Sequence, residues 1–231
     1  MTTLVGFVAG EGKDRGVILA SDLTSTAESW ERQGDVAVRR QSQRESQKIH
    51  VSQDNMFAVS MTGVRDEKYQ EFLYDLLRGE ISAEKAIGEG FFEDLLKLNL
   101  GRFEGRLWHN EYCNSLLIVS RYDGRPKIHS VWPLGRVEEK EGFTSVGSGS
   151  GEALSYLSKA MMDRLSHRQV TIGEGVKYVA GSLESASADP YTKGLDMVIL
   201  TGDKTYEFGE QIRRGLARAK VKTVEEIAEK F

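Results

Sequence analysis

An α+β fold is what the sequence predicts, and three observations carry it. Strand-like and helix-like runs come in blocks: strands, two helices, strands, two helices, strands, rather than strict alternation. The strand candidates fall in pairs joined by turns, as in antiparallel hairpins. No repeat, low-complexity tract or linker divides the 231 residues, so one domain spanning residues 1–231 is expected.

Taken in order, residues 3–9 and 16–22 are rich in Val, Ile, Leu and Phe and read as two strands around the turn GEGKDRG. Residues 23–47, which include QSQRESQ, are too polar for core and read as a long loop or an exposed hairpin. Residues 48–51 and 56–61 form a second hairpin around SQDN, a strong turn composition. Tyr69, Phe72, Leu73, Leu76 and Leu77 then recur at helical spacing, predicting an amphipathic helix that ends near Gly79. Ser82 is placed to cap a second helix running through Phe91, Phe92, Leu95, Leu96 and Leu98. Residues 116–120 and 127–131 read as a hairpin around YDGRP. The stretch SVGSGSGEALSYLSKAMM is a glycine-serine loop opening a helix with Leu154, Leu157 and Met161 on one face. A further helix is expected over 170–183, a last hairpin over 195–201 and 205–208 around GDK, and a short final helix with Thr223 and Glu226 as a capping box.

Composition excludes several classes of function. Charged residues make up 29% and hydrophobic ones 39%, ordinary for a soluble globular protein. A formal net charge of -4 gives no case for a nucleic-acid partner, and the short basic clusters Arg39-Arg40 and Arg213-Arg214 read as solvated faces. A single cysteine, Cys113, excludes an internal disulfide and suits a reducing compartment; it reads as a buried thiol rather than a nucleophile. No apolar run approaches the ~18 residues of a membrane span, and no secretory signal opens the chain, so a cytoplasmic protein without a membrane partner is expected. His50, His109, His129 and His167 are widely spaced with no HxxH or HExxH, so neither a metal nor any other cofactor is expected. No GxSxG elbow is present.

Two features remain that bear on chemistry. The GSGSG run at 147–151 opens a helix, where backbone N–H groups bind anions, but the GxxxxGK[ST] of a P-loop is absent. A tight turn that needs glycine is the plainer reading. The other feature is the opening MTTLVGFVAG, in which a strand begins at once behind two threonines. If Met1 is removed, Thr2 carries a hydroxyl and a free α-amine. An α-amine has a pKa of about 7.7–8.0 and accepts a proton near neutral pH. Nucleophile and base then share one residue, a known way to activate a weak hydroxyl. On Thr2 alone, an ordinary strand start with good β propensity is the plainer reading.

Further blocks bear on that choice. TTLVG resembles the mature start of an active proteasome β-type subunit, within the N-terminal nucleophile (Ntn) hydrolases. VILASD, KIHV, SMTG, SVGSGSG and DPYTKGLDMVIL resemble later blocks of the same family, in the same order, over most of the chain. The resemblance implies a four-layer αββα sandwich with two packed antiparallel sheets and a threonine peptidase or amidohydrolase working through an acyl-enzyme ester. It implies Thr2 as nucleophile, Lys48 as the cation beside it, Asp22 as support for that lysine, and Gly63 as the oxyanion-hole N–H. It implies Ser148, Asp189 and Thr192 as the groups that hold the terminal amine; Glu184 and Ser187 in LESAS are an alternative for the last pair. Thr26 falls where the family pairs its backbone with an extended substrate. Ser25, His50, Met61 and Arg65 fall where the family lines the pocket for the side chain before the cut.

The sequence also departs from the family pattern. The first turn and the stretch from Asp22 to Lys48 are longer than usual, and Thr24 stands where an arginine is often found. With only Met1 ahead of Thr2 in the sequence, neither a propeptide nor the gating role of an α-type subunit with its long extension is expected. The substrate expected is a peptide or unfolded protein, and the partners implied are further copies of the chain, as stacked rings, and an ATPase. Two rival functions stay open: a transpeptidase or peptide ligase on the same acyl-enzyme, and a catalytically silent ring scaffold.

Overall fold

The structure, a computed structural model, describes residues 2–10, 15–33, 36–45, 48–63, 74–75, 77–80, 115–121, 124–132, 137–162, 170–187, 194–209 and 224–229, and for 25–33 and 36–45 the backbone only. Twelve strands are described: β1 (Thr3–Ala9), β2 (Gly16–Ser21), β3 (Thr24–Gln33), β4 (Val36–Glu45), β5 (Ile49–Val51), β6 (Phe57–Thr62), β7 (Ser115–Ser120), β8 (Lys127–Val131), β9 (Val137–Lys140), β10 (Phe143–Gly147), β11 (Asp196–Leu200) and β12 (Thr205–Phe208). Three helices are described in full: α1 (Ser150–Met162), α2 (Ile172–Ala186) and α3 (Val224–Ala228).

Two five-stranded sheets form, β10-β1-β2-β11-β12 and β5-β6-β7-β8-β9, and every pairing within them is antiparallel. Period-two alternation divides each strand of the first sheet between two cores. Leu4, Val17, Leu19 and Val198 meet Ile49, Ala58, Leu117, Val119 and Ile128 of the second sheet in one buried cluster. Val5, Phe7, Ile18, Met197 and Ile199 point the other way, onto Ala153 and Leu157 of α1, Val176, Val179 and Leu183 of α2, and Ile227 of α3. Helix α2 lies close on the sheet because Gly175 faces it: a Cβ there would stand 2.9 Å from the Ala9 Cβ. The fold is therefore α+β, a sandwich of two antiparallel sheets with helices on the first.

The outer face of the second sheet is covered as well, since Val59, Leu116, Ile118 and Val131 are at most 1% exposed. The helices expected from Tyr69 and from Ser82 lie almost wholly outside the described residues. Tyr74, Asp75 and Leu77 are helical, and Gly79, at φ 77°, follows.

Most expected elements stand where the sequence placed them. The 23–47 stretch is the hairpin of the two options offered, β3 and β4 pairing from Thr24↔Glu45 to Gln33↔Val36 as a separate two-stranded sheet. Two strands were not anticipated. β9 is the charged run VEEK, whose sequence has no apolar alternation, and β10 merges into the glycine-serine loop. Helix α2 opens on a capping box of its own, Thr171 with Glu174, and the expected box at Thr223 lies outside the described residues.

Candidate active site

The backbone around Thr2 is held from three directions. Thr2 itself is buried just ahead of β1. Its carbonyl accepts the Ser148 N–H at 3.2 Å. The Thr3 N–H donates to Asp22 Oδ1 at 2.7 Å, and the Thr3 hydroxyl accepts the Gly149 N–H at 3.0 Å. One strand on, the Ser145 hydroxyl donates to the Leu4 carbonyl at 2.7 Å.

The register of β1 with β10 sets Thr3 opposite Gly147. Gly147 has φ 108°, a conformation open to glycine, and a Cβ there would lie 1.8 Å from the Thr2 carbonyl oxygen. The glycine in SVGSG thus serves a close approach of two backbones.

Lys48 directly precedes β5, and its side chain is buried. Its ammonium donates to Thr2 Oγ1 at 2.9 Å, to Asp22 Oδ2 at 2.8 Å and to the Thr24 carbonyl. An ammonium has three N–H bonds, so these three acceptors satisfy it. Asp22 also accepts the Thr24 N–H at 3.1 Å. Burial raises the Asp22 carboxyl above its ordinary value of 3.8, while the Lys48 cation and the hydrogen bonds from Lys48, Thr3 and Thr24 pull it the other way. A charged pair taken this far out of water needs such partners, because an unpaired buried charge is costly.

The main chain of Lys48 is also fixed. Asp196 Oδ2 accepts the N–H groups of Lys48 and Ile49, each at 3.2 Å, and the Ser60 hydroxyl donates to the Lys48 carbonyl at 3.0 Å. Asp196, Ser60 and Thr3 were not among the candidate site residues read from sequence, and Thr24 was noted there only as standing in place of an arginine. Asp196 alone carried a signal, as a carboxylate heading the apolar run DMVIL.

Chemically, the arrangement brings a cation against a hydroxyl and a carboxylate against the cation. Such a cation lowers the cost of forming an alkoxide at Thr2.

The other candidates are placed less closely. Gly63, at φ 98°, follows Thr62, whose Cγ2 would lie 3.1 Å from a Cβ on Gly147. Ser148 reaches Thr2 through its main chain, and its side chain is exposed. His50 and Met61 are half-buried on the face of the second sheet that carries Val59 and Leu116. Ser25 and Thr26 lie in β3, described by backbone alone. Ser187 caps α2 and donates its hydroxyl to the Glu184 carbonyl at 2.6 Å. Arg65, Asp189 and Thr192 lie outside the described residues. Among the described residues, no group of three metal-ligating side chains forms, and no helix is long and apolar enough to cross a membrane.

Comparison with known proteins agrees with this fold. The family model described as proteasome subunit matches residues 105–201, which take in β7 to β11 and the glycine-serine loop. Thr2, Asp22 and Lys48 lie outside that match, so their convergence rests on geometry. A proteasome subunit beta from Methanocaldococcus vulcanius is 35% identical over 112 residues, 46% of this chain and 48% of the relative. The alignment spans about half the length of that curated relative. Over those stretches the chain is similar to proteasome subunits, and the fold described above is compatible with that likeness.

Proposed function

We propose that the chain is a threonine-type peptidase or amidohydrolase in which Thr2, freed by removal of Met1, is the nucleophile. The observation that carries the reading is the Lys48 ammonium, 2.9 Å from Thr2 Oγ1 and 2.8 Å from Asp22 Oδ2. Thr2 Oγ1 attacks the carbonyl carbon of an amide, and its proton passes to the Thr2 α-amine. The Gly63 N–H meets the oxyanion, a contact typically worth ~2.7–4 kcal/mol. The α-amine then gives the proton to the leaving nitrogen as the C–N bond breaks, which leaves an ester on Thr2. Water adds to that ester and restores the hydroxyl. Ser148, Asp189 and Thr192 are assigned to hold the amine, with Glu184 and Ser187 as the alternative to the last two. Thr26 is assigned to pair with extended substrate, and Ser25, His50, Met61 and Arg65 to contact its side chain. No cofactor is needed.

The proposal extends to a cytoplasmic assembly of stacked homo-oligomeric rings, fed with unfolded chains by an ATPase. A second reading lets a peptide amine rather than water resolve the ester. It is favoured by the ten-residue strands of β3 and β4, a hairpin rooted at Thr24, whose carbonyl accepts the Lys48 ammonium. Turnover of a peptide with a competing amine, followed by weighing of the products, separates the two.

The decisive experiment labels the chain with a β-lactone and maps the adduct by mass, after intact mass has verified that Met1 is gone. One adduct on Thr2 is expected, and none in the Lys48→Ala variant. Label elsewhere, or none on the Met-free chain, overturns the reading and leaves a silent ring scaffold.

A further inference from the structure

We infer that Asp196 is a positioning residue for this site, holding the main chain of Lys48 so that its ammonium meets Thr2; the inference rests on the peptidase reading. The need for such a residue follows from where Lys48 stands. β5 has three residues and, among the described residues, lies at the edge of the second sheet, with β6 as its neighbour and Ile49↔Ser60 as its first pair. The outward N–H groups of an edge strand have no ladder to hold them. Lys48 lies one residue ahead of even that short ladder.

Asp196 supplies the missing anchor from the other sheet. It heads β11, is paired with Ser21, and is 7% exposed. A single oxygen, Oδ2, takes both the Lys48 and the Ile49 N–H at 3.2 Å, while Ser60 holds the Lys48 carbonyl from the opposite side. The same strand pair thus fixes both ends of the ion pair: Ser21 leads into Asp22, which takes the ammonium, and Asp196 takes the lysine's backbone. A lysine side chain is long and flexible, so its tip is placed no better than its root. A misplacement of 1 Å at a reacting centre is able to cost about 10²-fold in rate.

A carboxylate that merely stitched the two sheets would affect stability and leave the chemistry of the folded fraction alone. Four readouts separate the roles, taken on the Met-free full-length chain and corrected for folded fraction by thermal unfolding. Asp196→Ala is expected to lower kcat on a fluorogenic peptide by at least tenfold with KM within threefold. Its acid limb in kcat/KM is expected to move to higher pH, because a nearby cation lowers the pKa of the α-amine and a displaced one no longer does so. Asp196→Asn keeps an oxygen facing both N–H groups and is expected to recover kcat to within threefold of wild type. In crystals, the distance from Lys48 Nζ to Thr2 Oγ1 is expected to lengthen in Asp196→Ala and to hold in Asp196→Asn. If Asp196→Ala does not fold, Asp196→Ser takes its place, polar but too short to reach both N–H groups, with the same expectations. A kcat within threefold of wild type and an unmoved acid limb in the Ala or Ser variant overturn the inference. If the wild-type chain is inactive, the peptidase reading falls on its own, and the two crystal distances decide whether Asp196 positions Lys48.

Discussion

Gly147 shows how little freedom the site allows a single residue. Its φ of 108° and the 1.8 Å that would separate a Cβ from the Thr2 carbonyl oxygen leave no room for alanine. Strain of that backbone class costs about 1–3 kcal/mol before any clash is counted. Gly147→Ala is therefore expected to lower the midpoint of urea unfolding and to abolish β-lactone labelling of Thr2, and a labelled, fully stable variant would refute the account. Residues of this kind were partly legible in the sequence. Thr2, Asp22 and Lys48 were named from short blocks of sequence, and the structure places the Lys48 ammonium within hydrogen-bonding reach of both Thr2 and Asp22. Asp196 and Ser60 were not, because each acts through hydrogen bonds to the main chain of a distant residue, and the part Thr24 plays through its carbonyl was not foreseen either, since no local pattern records such contacts.

Elements were more legible than residues where side-chain periodicity was strong. β1, β2 and β11 alternate between two cores, so their runs are apolar throughout and could be read directly. β9 was missed because its residues are charged and lie at a sheet edge, where pairing needs no apolar face. The start of α2 was placed one residue before its N-cap, because Val170 is buried beside the helix and continues its apolar pattern. The cap itself is a matched pair, the Thr171 hydroxyl accepting the Glu174 N–H at 3.3 Å and the Glu174 carboxylate accepting the Thr171 N–H at 3.0 Å. Thr171→Ala is expected to cost about 0.5–2 kcal/mol, read as a shift in denaturation midpoint at unchanged m-value. A variant as stable as wild type would show that packing on the first sheet alone holds α2.

The pH dependence of the whole molecule's stability has an identifiable contributor in the second sheet. His129, on β8, is 6% exposed, with Glu139 3.8 Å away and Lys127 nearby. Burial lowers its pKa from the ordinary 6.5, the Glu139 charge raising it and that of Lys127 lowering it further. The unfolded chain thus binds this proton more readily than the folded one, so the contribution of neutral His129 is complete above pH 6.5 and is lost as pH falls below that value toward the lowered folded pKa. Between pH 7.5 and 5.5 the wild-type Tm is expected to fall further than that of His129→Gln; equal falls would exclude His129 as the source. At this scale the α+β class was legible from the order of its blocks, whereas the docking of one sheet on the other was implied by resemblance and not by any run of residues. That docking decides when Lys48 and Thr2 can meet. Lys48 rides on one sheet and Thr2 on the other, and Leu4 and Ile49 close the seam between them. A chain with its halves apart bears an ordinary alcohol and an ordinary solvated amine, so the meeting of the two is a property of the assembled sandwich and of neither half alone.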